Sequence, residues 1–102
     1  MYTLETIMEK LKAYMPELQR KYPVSRLGIF GSYARGEATE NSDIDVAVEL
    51  NGPMRLNLVA MANEIEDLFR IKVDVVAKGL IKAQSINNTA RKTHKRIRFI
   101  NK

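Results

Sequence analysis

Hydrophobic residues recur at two spacings along the chain, and the two spacings predict helices and strands. From Leu4 to Tyr22 they recur every three or four positions, which is the helical period, and Thr3 is available as an N-cap. Pro16 lies inside this stretch and has no N–H to donate. We therefore predict an amphipathic helix that either kinks at Pro16 or restarts there as a second short helix.

The centre of the chain changes to the spacing of strands. The stretch SRLGIFG (25–31) is short, apolar and ends in glycine, which is typical of a strand that enters a tight turn. The stretch DIDVAVEL (43–50) alternates, with Ile44 on one side and Asp43 and Asp45 on the other. The remaining predicted elements are a helix over 54–70, a strand over 72–77, a basic helix over 80–94 and a short strand over 97–100.

This order of elements predicts the fold class. A chain of 102 residues is long enough for one core and too short for two, so we expect a single domain over residues 1–102. Two consecutive strands followed by alternating helices and strands are typical of an α/β (α+β) fold. We expect a mixed β-sheet with helices packed mainly on one face.

Composition narrows the class of protein. No apolar run approaches the roughly 18 residues of a membrane span, and the N-terminal stretch carries charges where a secretory signal would be apolar. The chain has no cysteine, which excludes disulfides and thiolate metal sites. We expect a cytoplasmic protein without a membrane partner.

The net charge of +5 is concentrated near the C-terminus. Residues 81–102 hold seven of the 17 Lys and Arg residues and no Asp or Glu, so the rest of the chain is slightly acidic. A basic segment of this kind can contact an anionic partner. A solvated helix with its cations near the C-terminal end is the favoured interpretation, so direct nucleic-acid binding is not expected.

Three aspartates are the candidates for chemistry. Asp43 and Asp45 stand two positions apart in a predicted strand and so project from one face. Taken alone, such a pair is most often only a solvated strand face. Asp74 adds a third carboxylate in the apolar stretch KVDVV, where we expect an unpaired charge to be costly. Three converging carboxylates without histidine or cysteine favour Mg²⁺.

A glycine and a serine lie upstream of these carboxylates. Gly31 permits a sharp turn, Ser32 offers a hydroxyl, and the following YARG can begin a helix whose free N–H groups attract phosphate. Ten residues separate Ser32 from Asp43. Backbone that binds phosphate, next to carboxylates that bind metal, is the arrangement that nucleotidyl transfer requires.

At these residues the chain resembles a known family. Gly-Ser, ten residues, Asp-x-Asp and a later single Asp in a strand resemble the signature of the DNA polymerase β-like nucleotidyltransferases, and GSYARGEATENSDIDVAVE resembles their minimal nucleotidyltransferase branch. The resemblance implies the polymerase β-like nucleotidyltransferase fold. It also implies that Gly31 and Ser32 hold the phosphates of ATP, and that Asp43, Asp45 and Asp74 bind two Mg²⁺ ions, with Asp74 helping to activate the acceptor hydroxyl.

Two cations are further candidates for contact with the nucleotide. Arg35 lies in the same turn as Ser32, although an ion pair with Glu37 or Glu40 is an equal alternative. Lys78 follows the third strand, where a solvated lysine is the default.

The resemblance also implies a reaction and a partner. We expect AMP to be transferred from ATP to a hydroxyl, with release of pyrophosphate. Because a chain of 102 residues has little room for an acceptor-binding domain, we expect the acceptor on a partner. In the minimal nucleotidyltransferase branch the usual partner is a HEPN-domain toxin, with the nucleotidyltransferase as antitoxin. Two alternatives remain open: an antitoxin that only binds its partner, and a nucleotidyltransferase that acts on a small molecule or RNA.

Overall fold

The computed structural model describes residues 2–53, 57–78 and 97–100 of the chain. In this part the elements are α1 (Leu4–Lys21), β1 (Val24–Phe30), α2 (Gly31–Arg35), β2 (Ile44–Leu50), α3 (Asn57–Phe69), β3 (Val73–Lys78) and β4 (Arg98–Phe99). The predicted basic helix over 80–94 and the first residues of the helix predicted over 54–70 lie outside the described residues. No helix in the described ranges is both long and apolar enough to cross a membrane.

The strands form one mixed sheet in the order β3-β2-β1-β4. β1 pairs antiparallel with both β2 and β4, while β2 and β3 run parallel and are joined through α3. A parallel pair needs a long crossover connection, and α3 supplies it. The predicted mixed α/β sheet is confirmed.

The two faces of this sheet differ in their side chains. We call the face that carries Leu27, Ile29, Val46, Val48 and Val73 the packed face, because its residues join one core with the apolar sides of α1 and α3. Leu27 lies opposite Val48 and Ile29 opposite Val46, so their side chains point the same way. We call the opposite face, with Arg26, Phe30, Asp45, Glu49 and Asp74, the polar face. The helices α1 and α3 therefore cover one face of the sheet.

Helix α1 differs from the prediction. It begins after Thr3, whose side chain accepts a hydrogen bond from the Thr6 N–H at 3.1 Å, and runs without interruption to Lys21 with Pro16 inside it. The prediction of a second helix starting at Pro16 is wrong. Pro16 is exposed, so the carbonyl that loses its partner can be hydrated, while Met15 and Leu18 on either side of it stay in the core. Packing of this apolar stripe outweighs the lost hydrogen bond.

Candidate active site

Two of the predicted site residues lie side by side in the sheet. Asp45 of β2 and Asp74 of β3 are partners in the parallel register, which places both carboxylates on the polar face. This pairing depends on β3 lying next to β2, which α3 makes possible by returning the chain parallel to β2. Two residues that are 29 positions apart in the sequence thus become neighbours on adjacent strands.

The position of Asp74 differs from the one expected from the sequence. We expected this aspartate to be enclosed in an apolar strand, but its side chain is exposed. Within the described sheet β3 is an end strand with β2 as its neighbour, and only Val73 and Ala77, on the packed face, enter the core. The exposed position leaves Asp74 accessible to a molecule that approaches the polar face.

Asp43 lies immediately before β2, which begins at Ile44 and not at residue 43. The loop that precedes it is held by its own hydrogen bonds: the Thr39 N–H donates to the Ser42 hydroxyl at 2.8 Å, and the Ser42 N–H donates to the Thr39 carbonyl at 3.0 Å. This small turn ends at the residue before Asp43. It therefore orders the backbone directly before Asp43.

The three aspartates act on one another electrostatically. Burial raises the pKa of Asp45, the carboxylates of Asp74 and Asp43 raise it further, and the Arg35 guanidinium lowers it. The negative charge on Asp45 is therefore disfavoured in the protein as it stands. A cation placed among the three carboxylates would relieve that repulsion.

Gly31 is in contact with this carboxylate. Its φ of 75° lies in the left-handed region, which favours glycine, and a Cβ atom built on it would lie 2.0 Å from Oδ2 of Asp45. No residue with a side chain fits here without displacing Asp45. The turn that the resemblance assigns to phosphate and the carboxylate that it assigns to metal are therefore direct neighbours.

Ser32 and Arg35 lie in α2, the five-residue helix that begins at Gly31. The Ser32 carbonyl accepts the N–H of Glu37 at 2.8 Å, and Gly36 ends the helix in the left-handed conformation. Arg35 donates from Nε to the Glu37 carboxylate at 2.8 Å, which is the ion pair named as an alternative above. The guanidinium also lowers the pKa of Asp45 through its positive charge.

Lys78 is the last residue of β3 and lies opposite Glu49 of β2 in the register. This backbone position is four residues beyond Asp74 on the same strand. The side chain of Lys78 lies outside the described part of the chain.

The donor atoms of the site are those of a magnesium site, although the side chains are not gathered around a single point. In the described residues no three acidic or histidine side chains are close enough together to hold a metal ion. Asp74 is exposed, so rotation of its side chain can bring its oxygens toward Asp45. A set of donors made up of carboxylate oxygens alone fits Mg²⁺.

A cleft of about 400 Å³ lies beside this site rather than in it. One wall is the start of α1, with Tyr2 and Glu5, and the other is α2 and the residues after it, with Tyr33 and Arg35. None of the three aspartates lines the cleft, and Arg35 is the residue that it shares with the carboxylate cluster. We place the candidate chemistry at the aspartates because Asp45 and Asp74 are paired there on adjacent strands.

One residue near the site was not identified from the sequence. Glu66, in the last turn of α3, accepts the N–H of Val73 on Oε2 at 3.1 Å, directly before Asp74. A signal was available, because a carboxylate near the C-terminal end of a helix is opposed by the helix dipole and has to be stabilised by another contact.

Comparison with known proteins shows a family and several relatives of this chain. Residues 10–101 match the family described as nucleotidyltransferase domain. MJ0126 of Methanocaldococcus jannaschii, provisionally named a protein adenylyltransferase, is 45% identical over 79% of this chain and 84% of its own length. The protein adenylyltransferase MntA of Thermococcus cleftensis is 39% identical over 81% of this chain and 85% of its own length.

Solved structures show the same fold. A toxin–antitoxin structure with AMP-PNP superposes with a TM-score of 0.74 at 18% identity, covering 92% of this chain and 72% of the other. A minimal nucleotidyltransferase structure superposes with a TM-score of 0.67 at 29% identity, covering 89% of this chain and 93% of the other.

Proposed function

The chain belongs to the nucleotidyltransferase domain family, and on that premise we propose that it transfers AMP from ATP to a hydroxyl on a partner protein. The observation that carries the proposal is the register pair of Asp45 and Asp74, with Gly31 in contact with Asp45. The two relatives reported above, at 45% and 39% identity, are named for protein adenylyl transfer. We propose the cytoplasm as the place of the reaction.

We assign a role to each residue of the site. Gly31 and Ser32 would contact the phosphates of ATP through the turn that ends β1, with Arg35 and Lys78 as further cationic contacts. Asp43, Asp45 and Asp74 would hold two Mg²⁺ ions, which would supply the positive charge that neutralises the phosphates. Asp74, exposed on an end strand of the described sheet, would also face the acceptor and help to remove its proton.

In the proposed transfer one bond to the α-phosphorus forms and one breaks. The hydroxyl oxygen of the acceptor attacks the α-phosphorus, and the bond from that phosphorus to the oxygen of the leaving pyrophosphate breaks in line. The acceptor loses its proton, and the products are the AMP ester, pyrophosphate and a proton. Holding the reacting groups in line and stabilising their charge accounts for most of the rate enhancement in phosphoryl chemistry.

We propose a HEPN-domain toxin as the partner, with this chain as its antitoxin. The resemblance of GSYARGEATENSDIDVAVE to the minimal nucleotidyltransferases supports this choice. The exposure of Asp74 supports an acceptor as large as a protein, because the side chain can be approached from outside the fold.

The test is transfer of label from α-labelled ATP to a purified candidate toxin in the presence of Mg²⁺. We expect label on the toxin with the wild-type chain and with Asp67→Ala, which removes an exposed aspartate outside the site. We expect none with Asp43→Ala or after chelation of the metal. Toxin neutralisation without label, equal for wild type and Asp43→Ala, would contradict transfer and support an antitoxin that only binds. Label on RNA or a small molecule alone would contradict the protein acceptor.

A further inference from the structure

The connection between α3 and β3 is short and is fixed at both ends by one residue. The helix ends at Phe69, and Arg70 takes a left-handed conformation with φ of 60°. The N–H of Arg70 donates to the carbonyl of Glu66 at 2.6 Å. The side chain of Glu66 reaches past this turn and accepts the N–H of Val73, the first residue of β3, at 3.1 Å.

The hydrogen bond from Val73 to Glu66 provides a partner for a backbone N–H that makes no hydrogen bond with β2. The N–H of Ile44 in β2 donates to the carbonyl of Lys72 at 2.9 Å, and in a parallel pair a residue bonds to the two residues that flank its partner. Val73 is the partner of Ile44, so its own N–H points away from β2. The Glu66 carboxylate accepts this N–H at the outer edge of the described sheet, and a charged acceptor makes such a bond strong.

The position of β3 along β2 matters because of the residue that follows Val73. Asp74 lies beside Asp45 in the present register, and a shift by one residue would turn its side chain to the packed face. In the described sheet β3 has a neighbour on one side only, so its first residues have fewer backbone hydrogen bonds than those of β2. Glu66 adds a contact at the point where the strand starts.

We propose that Glu66 is a positioning residue for Asp74. Its carboxylate fixes the start of β3 and thereby holds the Asp74 side chain next to Asp45. The inference rests on the proposed function for its catalytic meaning, while its structural part stands on the hydrogen bond to Val73.

The test compares five variants of the full chain with the wild type. Glu66→Ala removes the acceptor, Glu66→Asp keeps the charge but falls one methylene short, and Glu66→Gln keeps a carbonyl oxygen in reach. Glu64→Gln weakens a different contact of the same helix and serves as a control for general loss of stability. Asp67→Ala, also in α3 and exposed, controls for the loss of a negative charge.

The first measurement is amide hydrogen exchange by NMR, which needs neither metal nor substrate. We expect the Val73 and Asp74 amides to exchange at least about tenfold faster in Glu66→Ala and Glu66→Asp, relative to the amides of β1 in the same protein. The second measurement is Mn²⁺ affinity, where we expect a loss of about 10- to 100-fold in the same two variants. Glu66→Gln should keep both the slow amide exchange and the Mn²⁺ affinity close to those of the wild type. In Glu66→Ala and Glu66→Asp, kcat should fall together with the Mn²⁺ affinity, while the KM for ATP stays within about twofold.

Two results would overturn the inference. One is exchange at Val73 and Asp74 in Glu66→Ala or Glu66→Asp that rises no more than in Glu64→Gln. The other is Mn²⁺ affinity equal to that of the wild type. If Glu66→Ala does not fold, Glu66→Asp carries the test. A wild-type chain that neither binds Mn²⁺ nor transfers label would contradict the proposed function, and the exchange measurement would still decide whether Glu66 holds β3.

Discussion

The packed face and the polar face are built from alternate residues of the same strands, yet they differ in almost every property. Leu27, Ile29, Val46 and Val48 on the packed face are fully buried. On the polar face Asp45 is half-buried and Asp74 is exposed; burial, and then the neighbouring carboxylates, raise the pKa of Asp45. The packed face stabilises the fold by burying apolar side chains, whereas the polar face carries carboxylates that repel one another.

The comparison shows how a small domain can hold charges of this kind. A change of one position along a strand moves from the core to the candidate site, so the buried neighbours of Asp45, Ile44 and Val46, fix its backbone. The carboxylates therefore need not stabilise the fold themselves. Substitutions on the two faces should separate stability from activity.

The largest effect on activity is expected at Asp45. Asp45→Asn keeps the shape but removes a charge assigned to the metal, so transfer should fall by at least about 100-fold. Because the pKa of Asp45 is raised in the folded protein, its ionised form opposes folding, and stability should rise as pH falls through that pKa. The amide should therefore be as stable as the wild type at pH 7, measured by thermal unfolding. A variant that is both inactive and clearly less stable would contradict the separation of the faces.

The packed face should show the opposite behaviour. Leu27→Ala leaves a cavity among fully buried residues and should lower the free energy of unfolding by about 2–5 kcal/mol, measured with urea. The activity per folded molecule should change little. Arg26→Gln, at the neighbouring position on the polar face, is the control and should cost much less. Equal losses from the two substitutions would mean that the faces do not differ in the way described.

A smaller effect is expected away from the sheet, where α1 and α3 meet. The Glu64 carboxylate accepts hydrogen bonds from the hydroxyls of Tyr14 and Tyr22 and from the Lys21 ammonium group. Burial would raise the pKa of Glu64, but these hydrogen bonds outweigh it and lower the pKa. The hydrogen bond to Glu64 also raises the pKa of Tyr14 to about 12.

The sign of the pH dependence follows from these shifts. The Glu64 contribution is present above its ordinary pKa and is lost as pH falls through the lowered value; that of Tyr14 is present below 10 and is lost as pH rises toward about 12. Glu64→Gln should lower the free energy of unfolding by about 1 kcal/mol at pH 7, and the further loss of stability as pH falls should be smaller than in the wild type. Urea unfolding between pH 3 and pH 7 measures this. If stability falls as steeply with pH in the variant as in the wild type, other carboxylates are responsible for the decrease.

Much of the fold can be predicted from the sequence, but less of the candidate site can. The period of α1 and the alternation of β2 are visible in it, because burial of one side repeats along each element. The pairing of Asp45 with Asp74 is not visible, since it depends on which strands become neighbours. For the same reason the exposure of Asp74 was mispredicted, because residues next to it in sequence do not reveal that β3 lies at the end of the described sheet.

Local rules also failed where packing outweighed them. Pro16 predicts an interruption, but the apolar stripe of α1 keeps the helix continuous. Glu66 gave only the indirect signal of a misplaced charge, because its partner is a backbone N–H seven residues away. Contacts from side chain to backbone leave little trace in hydrophobic periodicity.

Gly31 and Gly36 have nearly the same conformation, with φ of 75° and 74°, yet they differ in what could replace them. Asparagine is the residue that most readily takes the place of glycine in the left-handed region. At Gly36 a Cβ atom would meet nothing within 4 Å, so asparagine is acceptable there; at Gly31 the same atom would strike the Asp45 carboxylate. An asparagine at position 36 would therefore displace nothing, whereas one at position 31 would have to push the Asp45 carboxylate away from the candidate site.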